Sequence, residues 1–268
     1  QDTAAVAAVV ADNEARAMVL DDGTSRNYRN SPLNGEPMPW WGADVPARVG
    51  AAVTWESGVV LEYRNSTWKF QPQLPLLGAL VDGDATATFA DVRYDEPHDV
   101  GGDIRLATFN VLNYFPTTGE EFVAMGGGRS CSYYNDRQGN PITVYSCNQN
   151  GPRGAANQEN LDRQTEKIVL AINNLGASVV SLEELENSAK YDKDRDFAIS
   201  YLVDELNAAA GADVWDYVPS PATLPALADE DVIRNGFIYK PADVELVDVS
   251  RILIGSPAFG NAREPLAQ

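Results

Sequence analysis

The order of apolar runs between residues 104 and 254 most constrains what this chain can fold into. Ile104–Phe109 and Ala177–Leu182 are short apolar runs typical of buried strands. Glu159–Leu175 and Arg195–Ala210 carry apolar residues at helical spacing, and a glycine, a common helix stop, comes directly after each. Further strands are predicted at Trp215–Val218, Val232–Tyr239 and Val244–Ile254. Strands that alternate with helices predict an α/β domain.

A polar segment with proline and glycine, YDEPHDVGG at residues 94–102, separates this half from a β-rich region. We therefore place a small all-β, OB-like domain at residues 1–97, a linker at 98–103 and the α/β domain at 104–268. Strands of the first domain are predicted at Ala17–Leu20, Ala51–Trp55, Val59–Tyr63, Thr67–Phe70 and Ala85–Val92. Arg64-Asn65-Ser66 suits a hairpin turn. The Trp40-Trp41 pair either packs on the barrel, the favoured interpretation, or forms a stacking platform.

The charge balance is strongly acidic, with a formal net charge of −19 spread over both halves. The simplest interpretation is a solubility or high-salt surface. A polyanionic partner would need local Arg or Lys, or bound cations, to offset repulsion. No run approaches the roughly 20 apolar residues of a membrane span. Because no basic-then-apolar leader comes after Gln1, we expect a mature form or an excised segment.

Two cysteines and one histidine limit the chemistry. Cys131 and Cys147 enclose a polar, turn-rich stretch, and two cysteines alone cannot build a zinc-type cysteine cluster. A disulfide between them, which we favour over two free thiols, would indicate an oxidising compartment. His98 lies in the linker, which argues against a Ser-His-Asp hydrolase.

Two polar residues stand where predicted strands end. Asn110 ends one strand in TFNVLNYF, and Glu184 ends another in SLEELEN. Ligands of open α/β sheets gather at the carboxyl ends of strands, and amide and carboxylate oxygens are hard donors that suit Mg²⁺. Taken singly, each has a simpler interpretation, Asn110 as a turn residue and Glu184 as a solvated strand end or helix cap.

Five motifs in order carry a resemblance: TFNVLNYF, R-Q-x-x-K-I at Arg163–Ile168, SLEELEN, IRNGFIYKP and AREPL. Together they resemble the first half of the endonuclease/exonuclease/phosphatase superfamily, the DNase I-like fold, and within it the secreted bacterial nucleases of the ExeM type. The upstream segments LDDG, RVGAAVTWESGVVLEY, WKFQP and VGG are also similar to that group, so the resemblance covers Val19–Gln268. It implies an α/β (α+β) sandwich of DNase I-like type, of which this chain holds the N-terminal half.

The resemblance also implies a set of site residues. Asn110 and Glu184 match the metal-binding residues, whereas Glu183 stands where the family often has a neutral residue. Arg263 in AREPL matches a phosphate-contacting arginine, with a surface salt bridge as the alternative. Asn113 and Asn187 would orient the metal ligands without binding the metal themselves. The implied cofactor is a divalent metal, Mg²⁺ foremost, with Mn²⁺ or Ca²⁺ as alternatives.

The sequence departs from the family after AREPL. The family's catalytic His, Asp-x-Asn and Asp-His motifs do not occur before Gln268. We therefore expect a portion of a longer, extracellular, metal-dependent enzyme that hydrolyses DNA, completed by a C-terminal half and inactive without it. One alternative is a non-catalytic nucleic-acid-binding or scaffold segment that stacks bases on Trp40, Trp41, Trp55 or Trp68. Another is a sugar or lipid phosphatase of the same superfamily.

Overall fold

A computed structural model describes residues 2–42, 47–78, 86–94, 96–260 and 263–268. The chain divides into two compact units, residues 1–95 and 96–268, and the division falls within the segment at 94–102. Among the described residues no helix is both long enough and apolar enough to cross a membrane.

Residues 1–95 contain one helix and five short strands in their described part. The helix α1 spans Thr3–Arg16, and the strands are β1 Met18–Leu20, β2 Val53–Trp55, β3 Val59–Arg64, β4 Thr67–Pro72 and β5 Ala87–Phe89. One sheet has the order β1-β4-β3, and β2 pairs with β5. The described strands thus form a three-stranded sheet and a separate pair, with no closed barrel among them, so the OB-like architecture stays a prediction.

Local sequence signals predicted only part of this unit. The predicted hairpin is confirmed, since Asn65 and Ser66 take left-handed φ values of 53° and 60° in a two-residue turn between β3 and β4. The core-packing interpretation is wrong for Trp41, whose exposed fraction is 75%. Ala85, the first residue of the predicted last strand, lies outside the described residues. Helix α1, which begins at an Asp2 cap and buries none of its residues, was not predicted.

Residues 96–268 form a mixed α/β unit, as predicted. Its elements are β6 Leu106–Tyr114, α2 Gly119–Ala124, β7 Cys131–Asn135, β8 Pro141–Cys147, α3 Gln158–Asn174, β9 Val179–Glu186, α4 Phe197–Ala210, β10 Asp216–Tyr217, β11 Ile233–Tyr239, β12 Arg251–Ile252 and β13 Leu266–Ala267. The main sheet has the order β10-β11-β9-β6, in which β6 and β9 are parallel and the other pairs antiparallel. The predicted strand Val244–Ile254 is reduced to β12, which pairs only with β13.

The core lies between one face of this sheet and the helices α3 and α4. Ile172 of α3, Leu202 of α4 and Leu182 of β9 are completely buried in it. On the opposite face Leu106 is 77% exposed, and Thr108 and Asn110 of β6 are also exposed. One face of the sheet is therefore covered by helices, while its β6 edge is open on the other side.

The cysteine-bearing stretch is a β-hairpin rather than a loop. Cys131 and Cys147 face each other at the open end of the β7–β8 pair and form a disulfide, as predicted. Both cysteines pack against a small apolar cluster that includes Phe122 and Tyr191. The disulfide thus joins the two strands of the hairpin, and its packing against this cluster contacts the rest of the unit.

Candidate functional site

A β-bulge in β9 shapes the candidate site. Leu182 and Leu185 both point into the helix-covered core, although strict alternation would place residues three apart on opposite faces. The register with β11 explains this, because three steps along β9 oppose two steps along β11. Glu184 takes a left-handed φ of 65° within the bulge. The bulge consequently turns two successive carboxylates, Glu183 and Glu184, away from the core.

The neighbouring strand β6 bends at the same level. Asn110 pairs with Glu183, but the next paired residue is Tyr114, so Val111 to Asn113 leave the regular ladder. Within this bend the Asn110 side-chain oxygen accepts the Leu112 N–H at 2.8 Å. The backbone N–H of Asn113 then donates to Glu184 Oε2 at 2.9 Å. Regular pairing therefore breaks at the two predicted site residues, and a hydrogen bond joins the two bends.

Both bends open onto one cleft, and a distant arginine completes it. Asn110, Glu183 and Glu184 line this cleft together with Arg263. Arg263 lies just before β13, far beyond Glu184 in the sequence. The structure thus brings together the predicted metal residues and the predicted phosphate residue, and it adds Glu183, which was not among the predicted ligands.

The donor set in this cleft suits a hard divalent cation that keeps much of its water. Glu184 Oε2 already accepts one backbone N–H, and Asn110 Oδ1 accepts another, which fixes the orientation of both side chains. Glu183 Oε1 accepts the Ser181 hydroxyl at 2.9 Å. Among the described residues, no group of three or more His, Cys, Asp or Glu could hold a metal ion. Mg²⁺ usually binds a few protein oxygens and completes its coordination with water molecules. The oxygens of this cleft are therefore compatible with Mg²⁺ and not with a closed zinc site.

Arg263 is held in place by an acidic partner. Its guanidinium donates to Asp231 Oδ2 at 2.8 Å, and Arg153 donates to Asp231 Oδ1 at 2.9 Å. Partial burial acts to raise the pKa of Asp231, but the Val232 N–H and the two guanidiniums outweigh it and lower that pKa. Arg263 therefore forms the salt bridge that was the alternative to a phosphate contact. Even so, 44% of the Arg263 side chain is exposed. An exposed guanidinium that is anchored at one edge can still contact a phosphate.

A second arginine stands beside the cleft in a buried network. Arg234 of β11 donates to Asp196 Oδ1 at 2.8 Å and to the Ser220 hydroxyl at 2.9 Å. Burial lowers the pKa of Arg234, while Asp196 opposes that shift. The ion pair of Arg234 with Asp196 holds in place the part of β11 that lines the cleft.

Asn113 and Asn187 were expected to orient the metal ligands, and of the two Asn113 lies at the site. Asn113 contacts Glu184 through its backbone N–H, not through its side chain. Asn187 is fully buried and does not line the cleft; its side-chain amide donates to the Asp231 carbonyl at 3.2 Å, behind the carboxylate that holds Arg263.

Glu186, in the motif SLEELEN, is a buried carboxylate whose burial was not predicted from the sequence. It is fully buried and accepts hydrogen bonds from the Ser188 hydroxyl at 2.6 Å and the Thr117 N–H at 2.8 Å. Burial raises its pKa, and these hydrogen bonds act in the opposite direction. Glu186 thus ties the end of β9 to the segment directly after β6, below the two bends.

Comparison of the chain with protein-family models, with curated proteins and with solved structures found no match.

Proposed function

We propose that residues 104–268 form the metal- and phosphate-binding part of an extracellular, metal-dependent phosphodiester hydrolase of the DNase I-like class that acts on DNA. The observation that carries the proposal is the meeting of Asn110, Glu184 and Arg263 in one cleft. These three residues come from three of the five motifs on which the resemblance rests. Their meeting in one cleft is what the resemblance implies, and it supports the proposal.

The cleft residues have complementary tasks in such a reaction. Asn110 and Glu184 would hold the divalent ion, with Glu183 as a further carboxylate at the same edge. When bound, the ion supplies Lewis-acid polarisation of a phosphate oxygen and offsets charge on the leaving oxygen. Arg263 would bind a second phosphate oxygen through its exposed guanidinium edge and orient the scissile group.

The resemblance implies a histidine that activates the attacking water. The sole histidine, His98, lies outside the β6–β13 elements, and the described residues of the cleft include no histidine. We propose that a general base on a C-terminal half packs against the open face of β6. The open face of β6, on which Leu106, Thr108 and Asn110 are exposed, would accommodate such a layer.

The proposal requires a longer protein that continues this chain, and its test uses that protein. We expect its cleavage of DNA to require Mg²⁺ or Mn²⁺ and to stop in EDTA. Glu184→Gln should reduce the rate about 100-fold or more, which corresponds to roughly 3 kcal/mol of transition-state stabilisation. The matched control is Glu245→Gln, an exposed carboxylate outside the cleft, which should leave the rate unchanged.

Two outcomes would overturn the proposal. One is cleavage that EDTA does not affect. The other is preferential hydrolysis of sugar or lipid phosphomonoesters, which would favour the phosphatase alternative. The 268-residue chain alone should bind metal without cleaving DNA.

A further inference from the structure

A long groove leads away from the candidate cleft on the side of the disulfide hairpin. It runs between the bend of β6, the hairpin β7–β8 and helix α3. Asn110 lines both this groove and the cleft that contains Glu184. The groove and the cleft therefore meet at one of the two proposed metal ligands.

The charge of the groove is opposite to that of the chain. Arg153, Arg163 and Lys167 line it, and no carboxylate occurs among its described lining residues, in a protein of net charge −19. The other side of α3 shows the reverse, since Asp162 and Glu166 line a separate hollow that has no cation among its described residues. Two cations of α3 thus line the groove and two carboxylates of the same helix line the other hollow, while the exposed Glu159 lies one helical turn before Arg163.

Two of the three cations are available to bind a ligand. Within the described part of the chain, Arg163 donates to the neutral side-chain oxygen of Asn160 and neither Arg163 nor Lys167 forms an ion pair. Arg153 is paired with Asp231. Arg163 and Lys167 are both exposed and lie one helical turn apart, so they present two positive charges along the groove.

The opposite wall of the groove is apolar and aromatic. Tyr134 of β7 lines the groove with 57% of its surface exposed. It makes an edge-to-face contact with Tyr145 of β8, with ring centroids 5.0 Å apart. The disulfide at Cys131 fixes the hairpin that carries both rings. Leu112, 74% exposed, adds an apolar surface next to Asn110.

We propose that this groove binds a segment of single-stranded DNA that leads into the cleft, with backbone phosphates on Arg163 and Lys167 and a base stacked on Tyr134. Positive side chains along one wall and an aromatic platform on the other are the two elements of single-strand recognition. A duplex keeps its bases stacked on each other, so it cannot offer a base face to Tyr134. The assignment of DNA as the ligand rests on the proposed function.

The test measures binding without catalysis. Fluorescence anisotropy of a labelled oligo-dT is measured with the 268-residue chain in EDTA, over a range of salt concentrations. Arg163→Gln/Lys167→Gln should weaken binding and reduce the slope of log affinity against log salt by about 1.4, since each phosphate contact to a single strand contributes about 0.7. The matched control, Arg26→Gln/Arg29→Gln, removes the same charge from exposed positions of residues 1–95 and should change neither quantity.

The stacking part has its own pair of variants. Tyr134→Leu should weaken binding by roughly fivefold or more, and Tyr134→Phe should retain it, because a phenyl ring stacks and a leucine does not. Equal losses in the groove variant and the control variant would overturn the proposal, as would tighter binding of a duplex than of the single strand. Unchanged affinity in both groove variants would overturn it as well.

This experiment fails separately from the test of the proposed function. The chain could bind single-stranded DNA through the groove while the longer protein shows no EDTA-sensitive cleavage. That result would contradict the proposed hydrolase function and support the proposed groove. EDTA-sensitive cleavage with unchanged binding and KM in the groove variants would overturn the groove and leave the hydrolase.

Discussion

Removal of the disulfide is the perturbation whose cost can be worked most directly from the structure. The Cys131–Cys147 bond joins positions 16 residues apart that face each other across the β7–β8 hairpin. In the chain-entropy treatment, a loop of this length restricts the unfolded chain by about 3 kcal/mol at 25 °C. Replacement of both cysteines by serine keeps the hairpin hydrogen bonds, so most of the loss should come from the unfolded state.

We therefore expect Cys131→Ser/Cys147→Ser to lower the free energy of unfolding of the second unit by about 3 kcal/mol. For a unit of this size the midpoint should fall by roughly 6–12 °C in differential scanning calorimetry. Adding a reductant to the wild-type protein should reproduce the shift, and adding it to the double variant should do nothing. A loss below about 1 kcal/mol, or a wild-type midpoint that the reductant does not change, would refute the reasoning.

Three further substitutions test the surroundings of the site. Burial raises the pKa of Glu186 above its ordinary 4.5, so the unfolded chain loses this proton first and the protein loses stability as pH rises above about 4.5; Glu186→Gln should therefore gain melting temperature relative to wild type as pH rises from there, and a difference that does not change with pH would contradict this. Gly154→Ala would place a Cβ 2.7 Å from the Asn113 carbonyl oxygen, so it should cost about 1–3 kcal/mol in urea unfolding and weaken Mn²⁺ binding measured by calorimetry. Asp196→Asn should cost about 3 kcal/mol in the same urea assay, because it leaves the Arg234 guanidinium buried without its counter-charge, and a loss under about 1 kcal/mol would argue against that burial.

The elements that cover and form the core could be predicted from the sequence. Helices α3 and α4 match their apolar periodicity, and glycines with positive φ, Gly176 and Gly211, end them. The strand β9 was recognisable from its apolar run. In each of these elements the apolar pattern of the sequence predicts a buried face, and that face is buried in the structure.

The missed features lack such agreement. Helix α1 carries Val6, Val9 and Val10 at helical spacing, but all three side chains are exposed, so no burial accompanies this local pattern. The apolar residues after Val244 resemble a strand, but among the described residues strand pairing in this segment is limited to Arg251 and Ile252. Whether an alternating segment joins a sheet depends on neighbours distant in the sequence.

The site shows the same division. The positions of Asn110 and Glu184 could be predicted because polar residues interrupt two apolar runs. The inclusion of Glu183 depends on the bulge, and the only local sign of it is the three-residue spacing of Leu182 and Leu185. The spacing of Arg163 and Lys167 on α3 is visible in the sequence, but the groove that they line exists only because the hairpin lies opposite them.

Paramagnetic broadening by Mn²⁺ tests most directly whether Asn110 and Glu184 share one cation. In the isotope-labelled 268-residue chain, substoichiometric Mn²⁺ should first broaden the Asn110 side-chain amide and the backbone amides of Leu112 and Asn113, and Glu184→Gln should abolish that broadening. Broadening that begins in other acidic parts of the chain, with the Asn110 signals unchanged, would contradict the account.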